Sequence, residues 1–187
     1  MRSKLYLAII LLTPILVVIG SQLYFTKILS EGSYSGKTKE NGEFFKSSFN
    51  FNEFKDVEGN SDLMGFEDGK WVLAVYVTDI DKSKESIYLL RQLNIALNRD
   101  INKLKRVTFY SNKLLENDLM EILDEYPRLE LIKDKNGVLL NVLQRNSKVD
   151  FNIENPIFVI DPYGRAVMYF NNDTDPKLIL KDLKVLI

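Results

Sequence analysis

A chain of 187 residues with 45% hydrophobic side chains has room for one compact domain and its appendages, and little room for a second. Its 25 basic and 26 acidic side chains nearly cancel, to a formal net charge of −1, which removes the electrostatic case for nucleic acid as a partner. The absence of Cys and His excludes more: disulfides, thiolate nucleophiles, CxxC redox centres, imidazole bases, Ser-His-Asp triads and the usual ligands of zinc or copper.

Met1-Arg2-Ser3-Lys4 is a short basic head, and Leu5 to Phe25 follows as an uncharged, mostly apolar run. At 1.5 Å per residue it makes roughly 31 Å of helix, the depth of a bilayer's hydrocarbon core. It reads as one transmembrane helix (5–25) behind a cytoplasmic head (1–4), since Arg2 and Lys4 place the positive side at the N-terminus. The expected location is a bacterial inner membrane, with the rest of the chain in the periplasm. A cleaved signal peptide is the rival reading, with Val18-Ile19-Gly20 before Ser21, but the apolar run continues past that point through Phe25.

Residues 26–50 turn to Ser, Gly, Lys, Glu and Asn, which suits a tether. Phe44, Phe45, Phe49, Phe51 and Phe54 interrupt it, either as a lead-in that packs on the core or as an aromatic patch facing a partner. The remainder, 51–187, is the expected domain. Trp71 to Val77 is its strongest strand, apolar enough to be buried on both faces. Thr78 to Lys84 leads into a helix from near Ser83 to Asn98, with Ile87, Leu90, Leu93, Asn94 and Leu97 inward.

Arg106 to Tyr110 is a second strand. Asn112 caps or precedes a helix through Leu115, Leu119, Ile122 and Leu123 that stops before Pro127. Leu129 to Ile132 is a short strand, and Val138 to Leu143 reads as helix. Ile157 to Ile160 and Arg165 to Phe170 form a hairpin around the turn Asp161-Pro162-Tyr163-Gly164. Strict alternation would put Ala166, Met168 and Phe170 on one face and Val167 and Tyr169 on the other. Asp175-Pro176 opens a closing helix with Leu178, Ile179, Leu183 and Leu186 inward. Parallel crossovers followed by an antiparallel hairpin and a helix describe an α/β, thioredoxin-like sandwich.

Gly69-Lys70-Trp71-Val72-Leu73, leading to Tyr76-Val77-Thr78, resembles the approach to the copper loop of the Sco/SenC family, membrane-anchored thioredoxin-like proteins that help assemble cytochrome c oxidase. Ile160-Asp161-Pro162-Tyr163-Gly164-Arg165 is similar to that family's "IDPxGR" hairpin, and Ile87 to Gln92 with Arg106-Val107 resembles a divergent proteobacterial branch associated with oxidase genes. The family carries a CxxxC pair in the loop after its first core strand and a histidine before the hairpin. Here Asp79 and Ser83, with a possible slip of one in register, stand for the cysteines, and Asn152 to Pro156 for the histidine region. Carboxylate and hydroxyl oxygens suit hard cations and cannot form the thiolate site that holds Cu(I).

The resemblance therefore implies a kept scaffold without copper, thiol chemistry or any other cofactor. Asp79, Asp81 and Ser83 form the expected interaction loop, with Asn155 and Pro156 as its adjacent edge. Asp79, Asp81 and Glu85 read first as capping and helix-dipole partners, and only secondarily as a calcium or magnesium site. Arg91 and Gln92, mid-helix, are expected to support the loop by pairing with a buried carboxylate or with loop carbonyls. The cluster of Arg99, Lys103, Lys105 and Arg106 reads as a solvated helix end in preference to an anion-binding patch.

The implied function is non-enzymatic: an anchored assembly or accessory factor for a haem-copper oxidase, acting by contact with a respiratory-chain protein. No small-molecule substrate or nucleic acid is expected. The alternatives are a structural subunit held in a respiratory complex through its helix and aromatic lead-in and, less favoured, a hard-metal enzyme.

Overall fold

The computed structural model describes residues 6, 11–23, 40–51, 68–112, 114–134 and 136–187. It divides into two compact units, Met1–Lys39 and Glu40–Ile187. In the first, residues 11–23 form helix α1, whose apolar side chains, Leu11, Leu16, Val17 and Leu23 among them, are exposed. Among the described residues no helix is long and apolar enough to cross a membrane. Residues 5, 7–10, 24 and 25 of the expected span lie outside the described residues, as do 26–39 of the expected tether and Phe54.

The second unit is built on a six-stranded sheet of order β1-β6-β5-β2-β3-β4. Its strands are β1 (Glu43–Phe44), β2 (Trp71–Val77), β3 (Leu104–Tyr110), β4 (Leu129–Lys133), β5 (Ile157–Ile160) and β6 (Ala166–Phe170). β2 runs parallel to β3, and β3 to β4, while β5 and β6 form the antiparallel hairpin on the other side of β2. The side chains of β2 separate by period two. Val72, Ala74 and Tyr76 enter one core with Phe109, Phe158 and Ile160, and Leu73, Val75 and Val77 enter the other.

The helices cover both faces. On the Leu73 face lie α2 (Ile80–Ala96), α3 (Leu115–Glu125) and α6 (Pro176–Leu186), supplying Leu90, Leu119 and Leu183. On the Tyr76 face lie α4 (Val138–Asn146) and the short α5 (Phe151–Glu154), with Leu143 and Phe151, and the lead-in. Phe45, Phe49 and Phe51 of that lead-in are buried against Tyr169, Phe109 and Phe158. They are core, and only Phe44, half exposed, faces solvent. Residues 40–50 of the expected tether thus contribute a strand and core aromatics to this unit.

Four sequence readings need correction. α2 begins at Ile80, because Asp79 already accepts hydrogen bonds from the backbone N–H groups of Asp81 and Lys82. The hairpin does not alternate throughout: Ile160 pairs with Ala166 but Val159 pairs with Met168, leaving an irregularity in the ladder. A bulge turns the chain over, so Ala166 shares the face of Tyr169, while Val167 packs on the face of Met168 and Phe170. In α6 Leu178 is exposed and Asp182 is buried. Arg106, expected in solvent, is 5% exposed.

Candidate functional site

The loop after β2 and the approach to β5 meet at the C-terminal ends of the parallel strands. Asp79, extended at φ −141, is the N-cap of α2, and its Oδ1 accepts from the N–H of Asp81 at 3.0 Å and of Lys82 at 3.3 Å. That satisfies donors which the first turn of a helix otherwise leaves open. One turn further on, Ser83 is buried and its Oγ donates to the Asp79 carbonyl at 2.6 Å. Asp81 is exposed and pairs with Lys84 at 2.8 Å.

The facing edge is set by α5. Asp150 caps it by accepting from Asn152 N–H, and Gln144 of α4 both donates to Asp150 Oδ1 at 2.5 Å and accepts from Phe151 N–H at 3.0 Å. The backbone N–H bond from Asn152, then the side-chain amide bond from Gln144, hold the Asp150 carboxyl below its ordinary range. α5 ends on Asn155 in the left-handed region, φ 40 and ψ 53, a conformation in which asparagine is the best tolerated side chain after glycine. Asn155 is fully buried, and its carbonyl accepts from Ser86 Oγ at 3.1 Å. Thr78 Oγ1 donates to Asn152 O at 3.3 Å. Pro156 follows through a trans bond into β5.

The predicted loop and edge residues, Asp79, Asp81, Ser83, Asn155 and Pro156, therefore do lie on two segments brought together at one end of the sheet. Thr78 and Ser86, which the sequence reading gave no role, tie those segments to each other. The chemistry available is limited by how the polar atoms are used. The Ser83 hydroxyl hydrogen goes to a carbonyl, not to a base, and one oxygen of the exposed Asp79 carboxylate, Oδ1, is engaged by backbone donors. Among the described residues no group of three or more acidic side chains is placed to hold a metal ion.

Behind the loop, Tyr76 donates its hydroxyl to Asp134 Oδ2 at 2.8 Å, and Asp134 also accepts from Val138 and Leu140 N–H at 3.0 and 3.1 Å, anchoring the start of α4. Burial, above all, pushes the Tyr76 hydroxyl well above the ordinary tyrosine range. Arg91 and Gln92 lie elsewhere. They are half-buried, and Arg91 sits over the Tyr126 ring at 5.9 Å from its centroid. Twelve residues of helix separate Arg91 from Asp79, about 18 Å, too far for it to reach the loop carbonyls.

The loop continues into a groove of about 510 Å³ between α2 and α3. Ile80, Ile87, Ile122 and Tyr126 give it apolar walls, and Asp81, Asp118, Glu121 and Glu125 make it acidic against Lys84 alone. The hydrogen bond and charge of Asp81, with Asp118 and Glu125 adding to them, raise the Lys84 ammonium above its ordinary range. Asp118, Glu121 and Glu125 were missed by sequence reading, although their i, i+3, i+7 spacing puts them on one helix face.

A parallel β2–β3 pair, an antiparallel β5–β6 hairpin and helices on both faces define a thioredoxin-like domain whose loop-end position carries hydroxyl, amide and carboxylate groups. The family described as "Transmembrane-like, thioredoxin-like, C-terminal domain" matches residues 71–187, and the chain belongs to it. No protein of curated function matches the chain in sequence. Similar solved structures include copper-bound ScoI of Bradyrhizobium japonicum (19% identity, 78% of this chain and 99% of that one, TM-score 0.47). Copper-bound yeast Sco1 (17%, 63% and 77%, 0.48) and peroxiredoxin Q of Xanthomonas campestris (16%, 64% and 80%, 0.45) are others.

Proposed function

We propose that this protein is a membrane-anchored, non-catalytic member of its family that assists a haem-copper oxidase by protein contact. The oxidase link rests on the sequence resemblance of Gly69 to Thr78 and Ile160 to Arg165 to Sco proteins. The contact mechanism rests on one observation: at the positions corresponding to the copper-loop ligands, Asp79 Oδ1 and the Ser83 hydroxyl hydrogen are taken up by internal hydrogen bonds, while the groove that adjoins them is open and acidic. Four carboxylates against one ammonium, over apolar walls, suit a basic amphipathic segment of a partner. The anchor, residues 5–25, raises the local concentration of such a partner in the same membrane. The apolar side chains exposed along α1 support that anchor.

The structural-subunit alternative gains nothing from the aromatic lead-in, because Phe45, Phe49 and Phe51 are in the core. The test is cytochrome c oxidase activity, with the haem and copper spectra, in membranes of cells lacking the gene. Activity that falls while oxidase transcripts persist, and that added copper fails to rescue, supports the proposal. Unchanged activity and spectra refute the oxidase link.

A further inference from the structure

A different feature lies at the other end of β2, about 23 Å from the Asp79 loop for a seven-residue strand. Arg106 on β3 is on the same face as Leu104 and Tyr110, beneath the α2–α3 layer, and is 5% exposed. Its Nη2 donates to the Pro127 carbonyl, but Nε and Nη1, both buried, have no hydrogen-bond partner among the described residues. Burial first, and then the like charges of Arg91 and Arg128, push its guanidinium below the ordinary arginine range. An arginine nonetheless stays protonated, so this is a desolvated cation beside like charges.

Arg106 borders a cleft of about 280 Å³ whose walls include Lys70, Asn94, Lys105, Arg128 and Glu130. Four basic side chains face one carboxylate there. Lys105 is engaged with Asp68 at 3.2 Å and approaches Glu130 at 4.0 Å, which leaves the charge of Arg106 unbalanced. Arg128 is presented from a tight turn at φ 69 and is exposed, as is Lys70. Water can satisfy N–H groups but cannot neutralise them, and a buried charge without a counter-charge is strongly unfavourable.

We propose that this cleft binds a small oxyanion, the phosphate or carboxylate group of a compact ligand, whose oxygens accept from Nε and Nη1 of Arg106 while Arg128 and Lys70 cover it. Charge-assisted hydrogen bonds from a guanidinium supply the affinity. The volume falls just under the usual range of ligand pockets, which starts at about 300 Å³, and so suits only a compact ligand such as a phosphomonoester or short dicarboxylate. This site is independent of the oxidase reading and of the α2–α3 groove.

The test uses the full-length protein in detergent, titrated calorimetrically with inorganic phosphate and with succinate against chloride at matched ionic strength. Saturable binding of phosphate identifies a phosphoryl ligand, and saturable binding of succinate a carboxylate. The double variant Lys70→Ser, Arg128→Ser, altered at exposed positions, is expected to bind on the order of tenfold more weakly or worse. Arg106→Met is expected to abolish binding without lowering the ligand-free unfolding temperature. Binding no better than chloride, binding that survives in both variants, or a clear loss of stability in ligand-free Arg106→Met would each overturn the proposal.

Discussion

Asp182 joins the two ends of the folded unit, and its removal gives the sharpest stability prediction. It is 4% exposed in α6, and its carboxylate accepts from Asn41 N–H at 2.5 Å, Asn41 Nδ2 at 2.7 Å and Gly42 N–H at 3.1 Å. Three hydrogen bonds to a charged group would sum to about 4.5 kcal/mol at the low end of their usual worth, and partial access of water to the donors reduces this to about 3 kcal/mol. Asp182→Ala should therefore destabilise the domain by about 3 kcal/mol, and Asp182→Asn by about half as much, because the amide keeps one acceptor but adds a donor among donors. Urea titration of the full-length protein in detergent, followed by the fluorescence of Trp71, its single tryptophan, measures both. A fall in midpoint with unchanged slope is expected, since Phe45, Phe49 and Phe51 make the tethered lead-in part of the core. A loss under about 0.5 kcal/mol in Asp182→Ala, the range of ordinary surface substitutions, would show that these three hydrogen bonds do not hold the lead-in to α6.

Tyr76 gives a pH prediction. Its folded pKa is raised, chiefly by burial, while the unfolded value is about 10. Its contribution is therefore intact below pH of about 10 and lost as pH rises above it, where the unfolded chain releases a proton that the folded state retains. Tyr169 is shifted the same way, again by burial first. Tyr76→Phe should remove part of the alkaline loss in urea midpoints taken from about pH 8 to about pH 11, and an undiminished alkaline slope would contradict this. At neutral pH the same variant should cost about 1.5 kcal/mol through the lost bond to Asp134. Asn155→Ala should cost about 1–2 kcal/mol by forcing alanine into the left-handed region, with Asn155→Gly milder; equal stabilities would show that the backbone strain is not felt. Gly42→Ala would place a Cβ 2.7 Å from Phe170 Cε1 and 3.0 Å from Met168 Sδ, so a loss of about 1–3 kcal/mol is expected in the same titration.

Much of the framework was legible because local chemistry and tertiary packing agree there. β2 reads as a strand buried on both faces, and the Asp161 turn reads as a turn: its side chain accepts from Tyr163 and Arg165 N–H, and Gly164 takes φ 81. The inner stripe of α2 was readable from helical spacing, and Ile87, Leu90, Leu93, Asn94 and Leu97 are all buried. The failures have a common cause in long-range pairing. The bulge beside Val167 breaks the period-two rule on which the face assignment depended. Asp182 was hidden because its partners lie about 140 positions away, and apolar periodicity assigns the inward place to Leu178 instead. Arg106 was read as a solvated charge because a sequence does not show that α2 and α3 close over it. At the site, Asp79 declared itself as a cap, whereas the acidic groove needs α2 and α3 side by side before Asp81 and Glu125 share a surface.

The proposed mechanism is contact at the α2–α3 groove, without chemistry at the loop. Asp118→Lys, Glu121→Lys and Glu125→Lys together invert the charge of the α3 wall at exposed positions. The decisive measurement is cytochrome c oxidase activity in membranes of a deletion strain complemented with this triple variant, with its abundance and circular dichroism matched to the wild type. Under the contact mechanism, activity should be no higher than in the deletion strain. Full wild-type activity from a folded, abundant variant would contradict it.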